Sequence, residues 1–272
     1  MGTDIDGCRA VKNGEKMALQ RFRGLVTAAL LMGAGAAQAG GRDALWPVVR
    51  TCVTAYRLFG VSFPCLKVEL PDNNLDKGYA VLRPLKSDDL ILSPTRESAG
   101  VEDPMLRTPE TPNYFAAAWR ARALLKGPDG NPPERDEVAL VVNSRRARSQ
   151  DQLHIHIGCL HPEARRFLDT AAGRLPLYKW APVGPIVQGQ NWFGVRIKDA
   201  DLEQVNPFWI ATRGFEEATA NPGNLMVAAV GARVAGEDDF LVLAFLERAG
   251  DRYHPGGEGL LDRRCTAPSP LD

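Results

Sequence analysis

Two imidazoles one residue apart, set behind a run of arginines, are the groups in this chain best suited to chemistry. They lie in Asn143 to Cys159, which reads N-S-R-R-A-R-S-Q-D-Q-L-H-I-H-I-G-C. From Leu153 to Ile157 apolar and imidazole side chains alternate, the period-2 pattern of a half-buried β-strand. Successive side chains on a strand point to opposite faces, so Gln152, His154 and His156 line one surface while Leu153, Ile155 and Ile157 line the other. Arg145, Arg146 and Arg148 stand just upstream, and the guanidinium fork matches phosphate oxygens well. Asn143 and Ser149 add hydrogen-bonding groups at the two ends of the basic loop. A neutral imidazole, with an ordinary pKa of ~6.5, is a competent nucleophile near neutral pH. Attack on phosphorus by a histidine, with cations holding the phosphoryl oxygens, needs little more than positioning.

Two other readings of the same residues stay open. H-x-H on a strand is also a metal-ligand spacing, although the only other histidines are His161 and His254. His161 precedes Pro162 and reads as a helix start; His254 reads as a surface residue. No third ligand pattern lies nearby, so neither a metal nor a cofactor is expected. A pair of purely structural histidines is the other reading.

The imidazoles must be positioned by the elements around them. Val138–Val142 is a continuous apolar run that reads as a buried strand feeding the motif. Asn113 caps a helix expected over Tyr114–Lys126, stopped by Gly127–Pro133. Residues 78–83 and 89–93 read as a hairpin, 44–59 as a helix, 68–70 as a short strand, and the proline-punctuated 94–112 as loop. A helix from Pro162 to about Ala172 follows the motif. In the second half 173–192 reads as irregular, 193–197 as a strand and 201–205 as a helical turn. Residues 225–234 and 240–247 form a second hairpin across 236–239. The presence of a hairpin in each half suggests a duplication, although H-x-H occurs only once.

The chain has 272 residues, 44% hydrophobic and 24% charged, with 33 basic and 33 acidic side chains. That balance excludes a general nucleic-acid coat. Arg21 and Arg23, the apolar Leu25–Ala37 and the Ala37-Gln38-Ala39 site read as a signal peptide cleaved after Ala39. The alternative is an uncleaved anchor, but the apolar run is short of the roughly 20 residues that span a bilayer. Residues 1–39 are therefore an N-terminal extension with an export signal, and 40–272 a single domain carrying the motif at 143–159. Export leaves Cys52, Cys65, Cys159 and Cys265 in an oxidising compartment, where three pairings are possible. Cys52 and Cys65 bracket a short loop and are natural partners, which leaves Cys159 with Cys265. Loop closure would then contribute roughly 3 and 5 kcal/mol, and the second bond would pin the tail beside the histidines.

The segment Ser149-Gln-Asp-Gln-Leu-His154-Ile-His156-Ile resembles the histidine-triad (HIT) signature. More narrowly, N-S-R-x-x-R-S-Q-D-x-L-H-I-H-I-x-C resembles the CDP-diacylglycerol pyrophosphatase family, as do Thr111–Trp119 and the four cysteines. The resemblance implies an exported or membrane-anchored enzyme that splits CDP-diacylglycerol into CMP and phosphatidate. By position it makes His154 the nucleophile, His156 a ligand of the phosphoryl or bridging oxygen, and Ser149 the hydroxyl assisting the leaving oxygen. Asn143, Arg145 and Arg148 would contact the diphosphate, whereas Arg146 falls on a variable position. The first histidine of the triad is Gln152 here, whose backbone carbonyl can still orient the nucleophile. No metal is implied, and no obligate protein partner. The implied fold is α+β, a HIT-like antiparallel sheet flanked by helices, with the second hairpin as a degenerate second HIT-like half. The same chemistry on a soluble nucleotide diphosphate, or a non-catalytic envelope protein binding lipid or nucleotide, are the competing functions. Trp180, Trp192, Phe193, Phe208 and Trp209 are the candidates for a diacyl groove or a membrane contact.

Overall fold

The computed structural model describes residues 41–85, 87–187, 189–248, 256–262 and 264–265. The N-terminal extension, the export signal and His254 lie outside them. The histidines sit in the middle of a ten-stranded antiparallel sheet. Its strands are β1 (Lys67–Glu69), β2 (Tyr79–Leu82), β3 (Leu90–Pro94), β4 (Val138–Val142) and β5 (Ile155–Leu160) in the first half. The second half supplies β6 (Ala181–Pro185), β7 (Asn191–Lys198), β8 (Leu225–Val234) and β9 (Glu237–Leu246), and the tail adds β10 (Leu261–Asp262). The spatial order is β1-β2-β3-β5-β4-β8-β9-β7-β6, with β10 continuing the line of β3 along the edge of β5.

Alternation along each strand divides the sheet into two apolar faces. Leu140, Ile155, Ile157, Val227 and Val242 face one way, against α2 (Tyr114–Ala121) and α4 (Pro207–Gly214). A short α5 (Glu216–Ala220) follows α4 on that side. Ile91, Val141, Ala228 and Leu243 face the other way, where α1 (Leu45–Phe59) and α3 (Pro162–Ala172) lie. Because β4 is buried on both faces, it reads as the unbroken run Val-Ala-Leu-Val-Val rather than an alternation. The helix expected to reach Lys126 ends at Ala121 and tightens into a 3-10 turn over Arg122–Leu124.

The second half repeats the topology of the first. A hairpin, a helical crossover and a second hairpin give the orders β2-β3-β5-β4 and β6-β7-β9-β8, and β4 and β8 pair at the centre. Each crossover helix is capped by an asparagine side chain, Asn113 and Asn206, with a phenylalanine two residues later. Those rings, Phe115 and Phe208, meet edge-on with centroids 4.9 Å apart. The fourth residue of β4, Val141, pairs with His156; the fourth residue of β8, Ala228, pairs with Leu243. Leucine thus stands where the first half has imidazole, and the fold builds the histidine site once. Within the stretch read as irregular, 173–192, the chain forms β6, whose Pro182 and Pro185 are tolerated because the strand is an edge. The second hairpin turns on Ala235 and Gly236, both at positive φ, so β9 starts earlier than its acidic residues suggest.

Both disulfides form as expected: Cys52–Cys65 ties the turn after α1 back to the middle of that helix, and Cys159–Cys265 ties the tail to β5. They fit an oxidising compartment. No helix among the described residues is long and apolar enough to cross a membrane.

Candidate active site

The imidazoles occupy the seam between the two apolar clusters on the α1/α3 face. His156 pairs laterally with Ile91 on β3 and Val141 on β4. His154 immediately precedes β5, and both rings are buried, stacked edge-on with centroids 4.9 Å apart. His154 Nδ1 lies 2.7 Å from the backbone carbonyl oxygen of Gln152. A carbonyl can only accept, so the proton sits on Nδ1 and the lone pair of Nε2 is left for chemistry. Burial, reinforced by the neighbouring His156, lowers the pKa of His154 to about 4; the ring is neutral at physiological pH.

Gln152 is fully buried and its amide is committed to the loop after β3. Its Oε1 accepts from Ser98 N at 3.1 Å, and its Nε2 donates to Ser93 Oγ, Pro94 O and Arg96 O at 3.2, 3.3 and 3.0 Å. The carbonyl of Gln152 thus orients the His154 ring while its side chain fixes the wall beside it. His156 Nε2 lies 3.3 Å from Glu258 Oε1, and the same oxygen accepts from Asn143 Nδ2 at 2.8 Å. Asn143 Oδ1 accepts from Gly257 N at 2.8 Å. This close approach requires glycine: a Cβ at Gly256, whose φ is +77°, would stand 2.5 Å from Asn143 Oδ1.

The arginines divide by burial. Arg148 is buried, with Nη1 on Glu102 Oε2 at 2.6 Å and Nε on Asp151 Oδ1 at 2.8 Å. Gly100 leaves room for that guanidinium, which a side chain would strike. Arg42 grips Asp151 through two donors at 2.8 and 2.9 Å and donates to the carbonyls of Arg145 and Arg148. The hydrogen bond from Arg42, and then that from Arg148, hold the Asp151 carboxyl well below the usual range against the opposing effect of burial. Burial pushes the Glu102 carboxyl up, but the bonds from Arg148 and Arg145 outweigh it and leave it lowered. Arg145 keeps an exposed guanidinium with Nε 3.2 Å from Glu102 Oε1, and its backbone N–H donates to Gly223 O. Arg146 is exposed and pairs with Glu247, whose other oxygen accepts from Ser144 Oγ. Ser149 is exposed on the loop.

The fold therefore brings His154, His156 and Asn143 together, through Glu258 for the last two. It places Arg148 and the Gln152 amide in the supporting framework and leaves Arg145 and Ser149 at the surface of the loop. Sequence reasoning missed Glu102, Asp151 and Glu258. A tail pinned beside the histidines by Cys159–Cys265 was the available signal for Glu258; nothing in the proline-rich loop marked Glu102. The aromatic groove is corrected at three of its five positions: Trp192 and Phe208 are fully buried, and Trp180 and Phe208 pack on the face opposite the histidines. His161 caps α3, accepting from Glu163 N at its Nδ1. Among the described residues no cluster of three or more His, Cys, Asp or Glu is arranged to hold a metal ion.

A neutral, oriented imidazole beside a loop that carries three arginines fits an enzyme that acts on phosphoric anhydrides. The CDP-diacylglycerol pyrophosphatase family model matches residues 40–269, and this chain belongs to that family. It is 32% identical over 225 residues to the CDP-diacylglycerol pyrophosphatase of Yersinia pestis, covering 82% of this chain and 84% of that protein. The activity is accordingly hydrolysis of the diphosphate of CDP-diacylglycerol.

Proposed function

We propose that this hydrolysis runs through a cytidylyl group carried on His154. The neutral Nε2 attacks the phosphorus of the CMP half, forming an N–P bond as the bond to the bridging oxygen breaks and phosphatidate leaves. Water then attacks the same phosphorus, the N–P bond breaks, CMP is released, and His154 returns to its neutral form. The observation that carries this reading is the 2.7 Å contact from His154 Nδ1 to the Gln152 carbonyl. It fixes the tautomer, aims Nε2 outward and spreads the positive charge that develops on the ring in the adduct.

His156, with Glu258 behind it, stands beside the leaving oxygen and supplies a donor to it. Ser149 assists the same oxygen from the loop. The exposed Arg145 neutralises the diphosphate, while Arg148 and the Gln152 amide hold the loop in which these groups stand. Asn143 contacts phosphate at the end of β4 once the substrate enters. The enzyme works at a membrane surface in the cell envelope, where the lipid resides and the two disulfides persist.

The test is intact-protein mass spectrometry after mixing the purified enzyme with CDP-diacylglycerol in EDTA, quenched without acid because phosphohistidine is acid-labile. A cytidylyl adduct mapping to His154, absent in His154→Ala, is expected. CMP release that EDTA abolishes, with no adduct, would move the histidines into a metal site and overturn the reading.

A further inference from the structure

Helix α1 ends in a turn that is apolar, exposed and rigid at once. Leu58, Phe59 and Phe63 are 68%, 75% and 78% exposed, with Val61 and Leu66 beside them. Residues 58–66 contain no charged side chain. The turn is closed by Cys52–Cys65 and tied to the sheet by Leu66 N donating to Val81 O, so its rings are held out in water with no means of folding back. Monomeric proteins rarely leave such a patch uncovered unless it meets a partner surface.

What it meets is indicated by the other end of the helix. The backbone N–H of Leu45 donates to Gln150 Oε1 in the catalytic loop at 2.8 Å, so α1 starts at the histidine motif and runs to the apolar turn. A groove of about 420 Å³ follows it, lined by Trp46, Arg50, Val53, Arg57 and Leu58 on the helix and closed by Leu75. Trp46, Arg50, Val53 and Arg57 recur at spacings of four, three and four, one stripe that climbs about 16 Å at 1.5 Å per residue. The groove is apolar with two arginines, the composition suited to an acyl chain beneath an anionic headgroup.

We propose that the turn Leu58–Leu66 docks on the lipid bilayer and that the α1 groove receives acyl chain of the substrate on its way to His154. The proposal rests on the CDP-diacylglycerol activity and adds where the lipid enters. A bilayer is the occupant because the substrate is a bilayer lipid, the patch joins a groove along the helix that starts at the catalytic loop, and the charges next to it in the chain are Arg57 and Lys67, the latter paired with Glu69.

The experiment uses the full-length protein and the double variant Phe59→Ser/Phe63→Ser, outside the groove and outside the catalytic loop. Both are assayed on long-chain CDP-diacylglycerol in phosphatidylglycerol–phosphatidylcholine vesicles and on the monomeric dihexanoyl form. Turnover in vesicles should fall about tenfold or more, since two rings leave the bilayer, with the monomeric substrate unaffected. In parallel, the tryptophan of Phe63→Trp should be quenched by brominated phosphatidylcholine beyond the quenching of wild type. Equal vesicle turnover by variant and wild type overturns the proposal. So does a Phe63→Trp signal unaffected by brominated lipid, or a wild-type dimer that the double variant dissolves. If wild type hydrolyses neither substrate, the activity reading itself fails, and the quenching alone decides the docking.

Discussion

Under the proposed mechanism, the environment of His154 sets how the enzyme answers to pH. An exposed imidazole would lose its nucleophilic lone pair below about 6.5. Burial, and then His156, lower His154 to about 4, so the acid limb of kcat/KM for the free enzyme should fall near pH 4. A profile from pH 3.5 to 8 checks this; an inflexion between 6 and 7 that persists in His156→Asn would contradict it. Stability follows with the same sign. The folded state binds the proton less readily than the unfolded chain, so stability is full above about 6.5 and declines as pH falls toward 4. The two arginines should separate just as cleanly. Arg148 is buried between Glu102 and Asp151, and removing it strands two carboxylates. Arg148→Ala should cost about 3–5 kcal/mol of stability in denaturant melts. Arg145 is 62% exposed, so Arg145→Ala should stay within about 0.5 kcal/mol. Loss of the diphosphate contact proposed for Arg145 should nonetheless cut kcat/KM by about tenfold or more.

Strand β5 was legible in the sequence because one of its faces enters an apolar core while the other carries the imidazoles, which imposes a period of two. Leu153, Ile155 and Ile157 do enter the core under α2 and α4, and the imidazoles do share the other face. The boundaries were less legible, since Gly158-Cys159-Leu160 continue the strand without alternating polarity. The supporting carboxylates were not legible at all. Glu102 reaches Arg148 across 46 positions of chain, and Glu258 reaches Asn143 across 115, distances over which no local pattern persists. Cys159–Cys265 is what brings the second of these into range, since it anchors the tail that carries Gly257 and Glu258. Replacing both cysteines with alanine should therefore cost about 3–5 kcal/mol, the loop-entropy value for roughly 100 residues. It should also lower kcat, because Asn143 and His156 lose a held partner. Cys52–Cys65 closes only a short loop away from the histidines, so its removal should cost less and kcat on a monomeric substrate should stay near wild type. Thermal melts and steady-state assays on the two double variants distinguish these outcomes; equal kcat losses would mean that the tail does not support the site.

The balanced charge of the chain, 33 basic against 33 acidic residues, turns out to be balanced locally as well. The arginine motif is met by Glu102, Asp151 and Glu247, so it is a set of held ion pairs and not an open basic patch. The likeness of the two hairpins extends to the sheet order of the two halves, although Leu241 and Leu243 stand where the first half has its imidazoles. What the second half retains is structural: β8 covers the edge of β4, and Phe208 closes the core over Phe115. A first half ending at Gly173 would expose that edge over Ala139–Val142, open the shared core, and lack both Cys265 and Glu258. Residues 41–173 alone should then show no cooperative unfolding transition and should bind a hydrophobic dye. Refolding them with residues 174–272 under oxidising conditions should restore a single transition and hydrolysis together. A first half that melts cooperatively by itself would show that the second copy is an appendage. Recovery of both properties only in the mixture would show that the repeat replaces, within one chain, the partner that a half-sheet needs to bury its central strand.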